Sequence, residues 1–151
     1  MAAFFPELSD AHQSFIQQQH MFFVATAAES GEVNLSPKGM ESLKVISPKQ
    51  ILWLNLTGSG NESAAHLKLK NRMTLMWCSF GAKPLILRAY ATVNTIHPNS
   101  PRWPTLLSHF PPSPGARQIF ELNIHKVQTS CGFAVPHFEF VADRPTLINH
   151  W

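Results

Sequence analysis

Six or seven short apolar segments follow one another along this chain, with few helical segments between them. The two longest, residues 72–80 and 85–96, are rich in the large apolar residues that sheets bury, and only a Gly/Pro turn separates them. Strands joined by short turns pair antiparallel, because a parallel pair needs a long crossover connection. The sequence therefore predicts a mainly β fold, an antiparallel barrel with a few short helices, whose centre is this pair of strands.

The other predicted elements are shorter, and the 151 residues are expected to form a single domain, 1–151. Residues 29–32 are typical of a hairpin turn. Helices are predicted over residues 9–19, from about 60 to 69, and within the proline-rich connection 98–114; further strands are predicted over 21–28, 33–35, 43–46, 51–57 and 118–129.

The composition combines a high apolar content with few charges. Hydrophobic residues make up 44% of the chain and charged residues 14%, with eleven phenylalanines and four tryptophans. A homo-oligomer would cover the excess apolar surface. The net charge of +3 is spread without a Lys/Arg run, so we expect no nucleic-acid partner.

Nothing in the sequence indicates a membrane or secreted protein. No apolar run approaches the length of a membrane span, and the apolar start of the chain is too short for a signal peptide. Cys78 and Cys131 lie far apart and outside any zinc-binding spacing, which favours a reducing compartment. We therefore expect a soluble cytoplasmic protein without a membrane partner.

A strand-to-helix turn at residues 54–67 is the best candidate for an anion site. Ser59 and Glu62 have the spacing of a capping box, which predicts a helix starting near Gly60. Gly58 and Gly60 leave the backbone free to point N–H groups at a phosphate. An ordinary capped helix explains the same residues, and neither a P-loop nor the dinucleotide-binding glycine pattern is present.

Isolated polar residues elsewhere allow a functional and a structural interpretation. Lys38 lies in a Pro-Lys-Gly loop, where it could pair with a phosphate or remain solvated. Arg88 interrupts an apolar strand, so its charge needs a carboxylate or a bound anion. Cys131 could be a reactive thiol or a small buried residue. The eight histidines lack metal-ligand spacing, so we expect no metal site.

Five motifs together resemble the pyridoxamine 5'-phosphate oxidase-related, FMN-binding split-barrel family. The motifs are FFVATA at 22–27, VNLSPKG at 33–39, LTGSGNESAAHL at 56–67, ILRAYA at 86–91 and VQTSCGFAVP at 127–136. The resemblance implies a six-stranded antiparallel split barrel that forms a homodimer, with FMN bound in grooves between the subunits.

The resemblance also implies roles for individual residues. It assigns Ser36 and Lys38 to one flavin edge and Thr57 to the ring or ribityl chain. It assigns Ser59, Asn61 and Ser63 to the phosphate, and Arg88 to the same groove. Ser130 and Cys131 are expected to approach the flavin from the same or the partner subunit. Glu62 and Ser63 stand where the oxidase proper has an arginine and a lysine. The chain also lacks the oxidase's basic, histidine-containing end, so pyridoxamine phosphate is not the expected substrate.

These features predict an FMN-dependent oxidoreductase that acts on a small organic molecule by hydride transfer through the flavin. No catalytic residue can be named, because this chemistry requires no acid or base from the protein. One alternative is a non-catalytic flavin carrier or redox sensor, suggested by the missing substrate motif. Another is a cofactor-free barrel that binds a partner.

Overall fold

The computed structural model describes residues 2–58, 60–147 and 149, and the strands within them form one antiparallel sheet. The eight strands are β1 (Ala3–Phe5), β2 (Phe22–Thr26), β3 (Asn34–Lys38), β4 (Leu43–Ser47), β5 (Gln50–Leu56), β6 (Met73–Cys78), β7 (Ile86–Ile96) and β8 (Ala116–Ser130). The helices in the same residues are α1 (Asp10–Gln17), α2 (Glu62–Leu69) and α3 (Trp103–Leu107).

The strand order across the sheet is β3-β2-β6-β7-β8-β5-β4, with β1 added to the end of β8. The long strands β7 and β8 lie at the centre, as predicted, and β2 and β3 form the predicted hairpin. Because β3 and β4 end the sheet without pairing to each other in the described residues, the barrel is split along one side. The predicted mainly β split-barrel fold with a few short helices is confirmed.

The sheet has more strands than the six that the resemblance implied. The strand β1 was missed because three residues are too few to show an alternating pattern. It pairs with the second half of β8, Phe4 lying opposite Gln128.

The barrel interior is filled from the inward face of each strand. Along β7, Leu87 and Ala89 are fully buried while Arg88 and Tyr90 point to the opposite side, as the period of two requires. Trp53, Trp77 and Phe120 are the largest of the fully buried side chains, and they stabilise this core together with the aliphatic residues of β2 and β6. Each buried side chain of this size contributes about 1.5–3 kcal/mol.

The α3 segment covers the other face of β5 and β8. Leu52, Leu54, Ile119 and Phe110 form a second apolar cluster there. Beside it, the buried carboxylate of Glu121 accepts hydrogen bonds from Arg102, Gln50 and Asn94. This network ties the connection that carries α3 to the centre of the sheet.

The helix α1 begins as predicted, whereas α2 begins two residues later than predicted. Ser9 caps α1 and exchanges capping-box hydrogen bonds with His12. In α2 the N-cap is Asn61, which makes no side-chain cap, so Glu62 is the first helical residue and not the third. The predicted capping box between Ser59 and Glu62 is therefore not the start of α2, and Ser59 itself lies outside the described residues.

The helices that the structure describes are all too short, or too polar, for a membrane crossing.

Candidate functional site

A groove opens beside the split of the barrel, between the end of β3 and the end of β5. Its cavity has a volume of about 370 Å³ and is lined by Lys38, Trp53, Asn55, Thr57 and Gly58 among others. This volume is within the range of small-molecule sites. The groove therefore brings together Lys38 and Thr57, two residues that the resemblance assigned to a cofactor.

The β3 wall of the groove presents polar side chains on the inward face of the barrel. Ser36 lies opposite Val24, and Lys38 lies opposite Phe22. Directly opposed residues of an antiparallel pair share a face, so both polar side chains point to the same side as the apolar core. Because β3 is an edge strand, they remain half-buried.

Lys38 is a half-buried cation at the mouth of the groove. Burial lowers the pKa of its ammonium group, and the nearby Glu62 carboxylate opposes that shift only in part. Its Nζ lies 5.8 Å from the centre of the Trp53 ring. Within the described residues it forms no salt bridge. An anion bound in the groove would offset the cost of this partial burial.

A chain of polar contacts connects β3 to the first turn of α2. Ser36 donates to the amide oxygen of Asn34 at 2.8 Å, and the Asn34 amide donates to the Ser63 hydroxyl at 3.2 Å. One turn further, His66 contacts the buried Thr26 hydroxyl at 3.1 Å. These contacts fix the start of α2 beside the groove and bring Ser36 and Ser63 into one network.

Asn61 anchors the turn before α2 to the strands. Its amide oxygen accepts one hydrogen bond from Asn55 at 3.2 Å and another from Gln118 at 2.9 Å. Asn55 and Gln118 face each other across β5 and β8, and both are buried. The Asn61 side-chain oxygen therefore satisfies two buried amides, which explains why it does not cap α2.

Arg117 holds the same turn from β8. It donates from Nη1 to the carbonyl of Gly60 at 2.8 Å and from Nη2 to the carbonyl of Gly58 at 3.0 Å. On the other side of the turn the Glu62 carboxylate folds over Gly60, in the space that a Cβ at position 60 would need. Positive and negative groups thus lie close together around this turn.

The loop between β3 and β4 forms the rim of the groove. Met40 and Glu41 have φ values of 60° and 55°, a left-handed conformation that is unusual for residues other than glycine. The loop is held closed by the Ser42 hydroxyl, which donates to the Gly39 carbonyl at 2.6 Å. The amide of Leu54 in turn donates to the Ser42 carbonyl at 2.8 Å. Backbone strain of this kind is common beside binding sites.

Arg88, Ser130 and Cys131 lie elsewhere. Arg88 donates to the Ser130 hydroxyl at 3.2 Å, on the face of β7 that points away from the barrel interior. Cys131 is exposed, and a hydrogen bond from the Phe133 backbone is the main cause that lowers the pKa of its thiol. Within one chain Arg88 does not face the groove that holds Lys38, and its implied place in a groove between subunits stays a prediction.

Sequence reasoning missed Asn55, which lines the groove, and four residues that hold the elements beside it: Asn34, His66, Arg117 and Gln118. The polar residues Asn55 and Gln118 interrupt apolar strands, and this signal singled out Arg88 and could have found them too. Arg117 gives no local signal, because it is 57 residues from its acceptor at Gly60. In the described residues no group of three His, Cys, Asp or Glu side chains is placed to hold a metal.

Comparison with known proteins identifies the family. The family model described as pyridoxamine 5'-phosphate oxidase matches residues 8–131. The chain belongs to the pyridoxamine 5'-phosphate oxidase family. The resemblance inferred from the five motifs is thereby confirmed, and the matched region contains both the β3 wall and the turn before α2.

Relatives of this oxidase-family chain include a fungal protein and solved bacterial structures. The pyridoxamine 5'-phosphate oxidase family protein ustO of Aspergillus flavus is 38% identical over 151 residues, covering 97% of this chain. The match covers 61% of ustO, so this chain spans less than two thirds of that relative's length.

Two solved structures share the fold at low identity. An FMN-binding protein from Syntrophomonas wolfei has a TM-score of 0.56 and 16% identity, over 76% of this chain and 80% of that one. HutZ, the haem storage protein of Vibrio cholerae, has a TM-score of 0.57 and 16% identity, over 78% of this chain and 90% of that one. At these identities the likeness concerns the fold.

Proposed function

We propose that this chain is a flavoprotein that binds FMN in the groove beside the split of the barrel. The observation that carries the proposal is Lys38, a half-buried ammonium group without a salt bridge in the described residues, in a groove lined by polar groups. Family membership and the FMN-binding neighbour of the same fold support the choice of a flavin.

The residues of the groove fit such a cofactor. The phosphate would lie by the turn before α2, near Asn61 and Ser63, with Lys38 as its counter-charge and backbone N–H groups of α2 as donors. Ser36 and Thr57 would contact the flavin edge and the ribityl chain. Ser59 keeps its expected phosphate role as a prediction outside the described residues.

The proposed activity is that of an oxidoreductase acting on a small organic molecule. A bound flavin supplies hydride and electron transfer itself, so the protein contributes binding, orientation and electrostatics. The lining of the groove agrees with this division: besides hydroxyls and an amide it offers one ammonium group, Lys38, one carboxylate, Asp143, and one imidazole, His20. A carrier that holds flavin without turnover would need the same residues, and only a turnover measurement separates the two.

The proposed functional unit is a homodimer with flavin at the subunit interface. Arg88 and Ser130 lie on the outward face of the sheet, so they would reach a flavin only in the partner subunit, and the exposed Cys131 directly follows Ser130. Large apolar side chains such as Phe4 and Phe133, 62% and 80% exposed, support association. The unpaired thiols Cys78 and Cys131 fit the proposed cytoplasmic location.

Haem binding is a second candidate, favoured by one residue. His20 lines the groove, and histidine is a common axial ligand of haem iron. Its ring is stacked on Phe140, however, with centroids 3.6 Å apart and planes at 4°. That stacking, together with the cation Lys38, leaves FMN as the first candidate.

The test is an absorbance spectrum of the purified protein, with mass identification of the released ligand and light scattering for the particle mass. We expect flavin bands, released FMN and a dimer. Protein that is colourless and takes up no added FMN would overturn the proposal, and a Soret band would establish haem instead. Turnover of the reduced flavin by a panel of acceptors would then distinguish the enzyme from a carrier.

A further inference from the structure

The turn before α2 is held by a residue from a distant part of the sequence. Arg117, at the start of β8, donates one hydrogen bond to the carbonyl of Gly60 and one to the carbonyl of Gly58, at 2.8 and 3.0 Å. The planar guanidinium makes both bonds from one rigid fork. The neighbouring Gln118 holds Asn61 at the same time, so two consecutive residues of β8 fix the turn.

This contact orients the backbone at the start of α2. The peptide between Gly60 and Asn61 is trans, so its N–H points opposite to its carbonyl. Because Arg117 holds the Gly60 carbonyl towards β8, the Asn61 N–H points to the other side of the turn. The N-cap residue Asn61 makes no side-chain cap, so its side chain does not accept hydrogen bonds from the first backbone N–H groups of α2.

The charge of Arg117 is not neutralised by its partners. Both acceptors are carbonyl groups, and within the described residues the guanidinium forms no salt bridge. The first turn of α2 contains the acidic Glu62 and no basic side chain. Among the described residues, Lys38 lines the groove together with Asp143, and Arg117 holds the turn beside it.

We propose that Arg117 is a positioning residue for the cofactor phosphate. It holds the carbonyls of Gly58 and Gly60 towards β8, which leaves the Asn61 N–H facing the other way, and its guanidinium adds positive charge near a helix start whose first turn is acidic. The inference rests on the proposed function, because the phosphate it concerns is that of FMN in this groove.

The experiment compares FMN with riboflavin, which has the same ring and ribityl chain without the phosphate. Apoprotein is titrated with each ligand and the quenching of flavin fluorescence gives the dissociation constants. We expect R117M to weaken FMN about tenfold, because the turn loses both hydrogen bonds that hold its carbonyls and the positive charge beside it. Riboflavin should change by less than about twofold, since it has no phosphate for the turn to hold.

Two further variants sharpen the comparison. The control is R72M, because Arg72 also donates to a backbone carbonyl, that of Ala28 at 3.4 Å, outside the groove; its FMN affinity should equal that of the wild type. R117K keeps the charge but lacks the planar fork with two separate nitrogen donors, so we expect its FMN affinity between those of wild type and R117M, about threefold below wild type.

A spectroscopic measurement reports on the phosphate directly. At saturating FMN, the ³¹P resonance of the bound phosphate should shift in R117M and R117K and stay in place in R72M. If R117M fails to fold, as judged by circular dichroism, R117K alone decides.

Several outcomes would overturn the inference while leaving FMN binding intact. One is an R117K protein that equals the wild type in FMN affinity and in ³¹P shift. Another is an R117M protein that loses affinity for FMN and riboflavin equally, or loses affinity for neither. A wild-type protein that binds neither flavin would overturn the proposed function itself, and this inference with it.

Discussion

Arg102 and Arg117 both attach a neighbouring segment to β8, and they do so through different acceptors. Arg102 donates to the buried carboxylate of Glu121, which also accepts from Gln50 and Asn94. Arg117 donates to the neutral carbonyls of Gly58 and Gly60. The charge of Arg102 is thus paired with a carboxylate, whereas the acceptors of Arg117 carry no charge.

The difference separates a structural cluster from a candidate binding site. The Glu121 carboxylate is paired with the Arg102 guanidinium, so this pair offers no unpaired charge to a ligand. Around the turn before α2, Arg117 and Lys38 carry positive charge and form no salt bridge within the described residues, although Glu62 acts on Lys38 and Asp143 lines the same groove. A cation without a salt bridge beside a cavity is a group with which an anionic ligand can pair.

The largest expected effect concerns the pair of Arg102 and Glu121. R102M should lower the free energy of unfolding by more than any other variant discussed, because the buried Glu121 carboxylate loses its charged partner. FMN uptake should be unchanged, which would confirm that this arginine is structural. The control is K49M, whose partner Glu7 is 3.7 Å away in an exposed pair, and it should cost less than about 0.5 kcal/mol.

The same variant carries a pH signature. Hydrogen bonds from Arg102 are the first cause that holds the pKa of Glu121 below its usual value. A carboxyl group with a lowered folded-state pKa stabilises the fold above its unfolded pKa, and that stability is lost as the pH falls through the folded pKa. The difference between R102M and wild type, measured by denaturant unfolding, should therefore shrink from pH 7 towards pH 3. A difference independent of pH would contradict the assignment.

The next effect concerns the charge on Lys38. K38M should weaken FMN about tenfold, by removing one charge-assisted contact, and leave riboflavin nearly unchanged. Burial lowers the pKa of Lys38 in the free protein, and a bound phosphate would raise it. FMN affinity should thus be full below the free-state pKa and fall as the pH rises through it.

Titrations of FMN at increasing pH above 7 test this dependence. The fall in affinity should be absent in K38M and present in K68M, a control at an exposed lysine in the last turn of α2. Parallel pH profiles in wild type and K38M would show that Lys38 does not face the phosphate.

The smallest expected effect is a gain of affinity. Glu62 folds over Gly60 and interacts with Lys38, so its carboxylate competes with a phosphate for the same positive region. E62Q should strengthen FMN binding about threefold, the size of a partly screened repulsion, with riboflavin unaffected. The control E29Q removes an exposed carboxylate that pairs with Lys70 instead. Weaker FMN binding by E62Q would mean that Glu62 supports the turn.

The strands could be predicted because their signal is local. The apolar residues of β5, β6 and β7 mark buried strands wherever they occur, and the Gly/Pro turn between β6 and β7 requires antiparallel pairing. The start of α2 could not be placed in the same way. A capping pattern is also local, but the Asn61 oxygen is held by Asn55 and Gln118, and no pattern around residue 61 shows that contact.

The candidate site was predictable in its residue types and incomplete in its arrangement. The motifs singled out Ser36, Lys38, Thr57 and Ser63, which lie around the groove or in the network beside it. Arg88 and Ser130 came from the same resemblance but face outward within the chain, because the neighbours of Arg88 along β7 fill the core.

By itself the sequence determined the mainly β class, the order of the elements, the family and the polar turn between β5 and α2. Those properties follow from patterns a few residues long. Only the tertiary structure decided that the groove lies between the ends of β3 and β5, and that Arg117 holds the turn. The Arg117 contact depends on the register of β8 against β5, which brings residues about sixty positions apart into contact, and no local pattern carries that information.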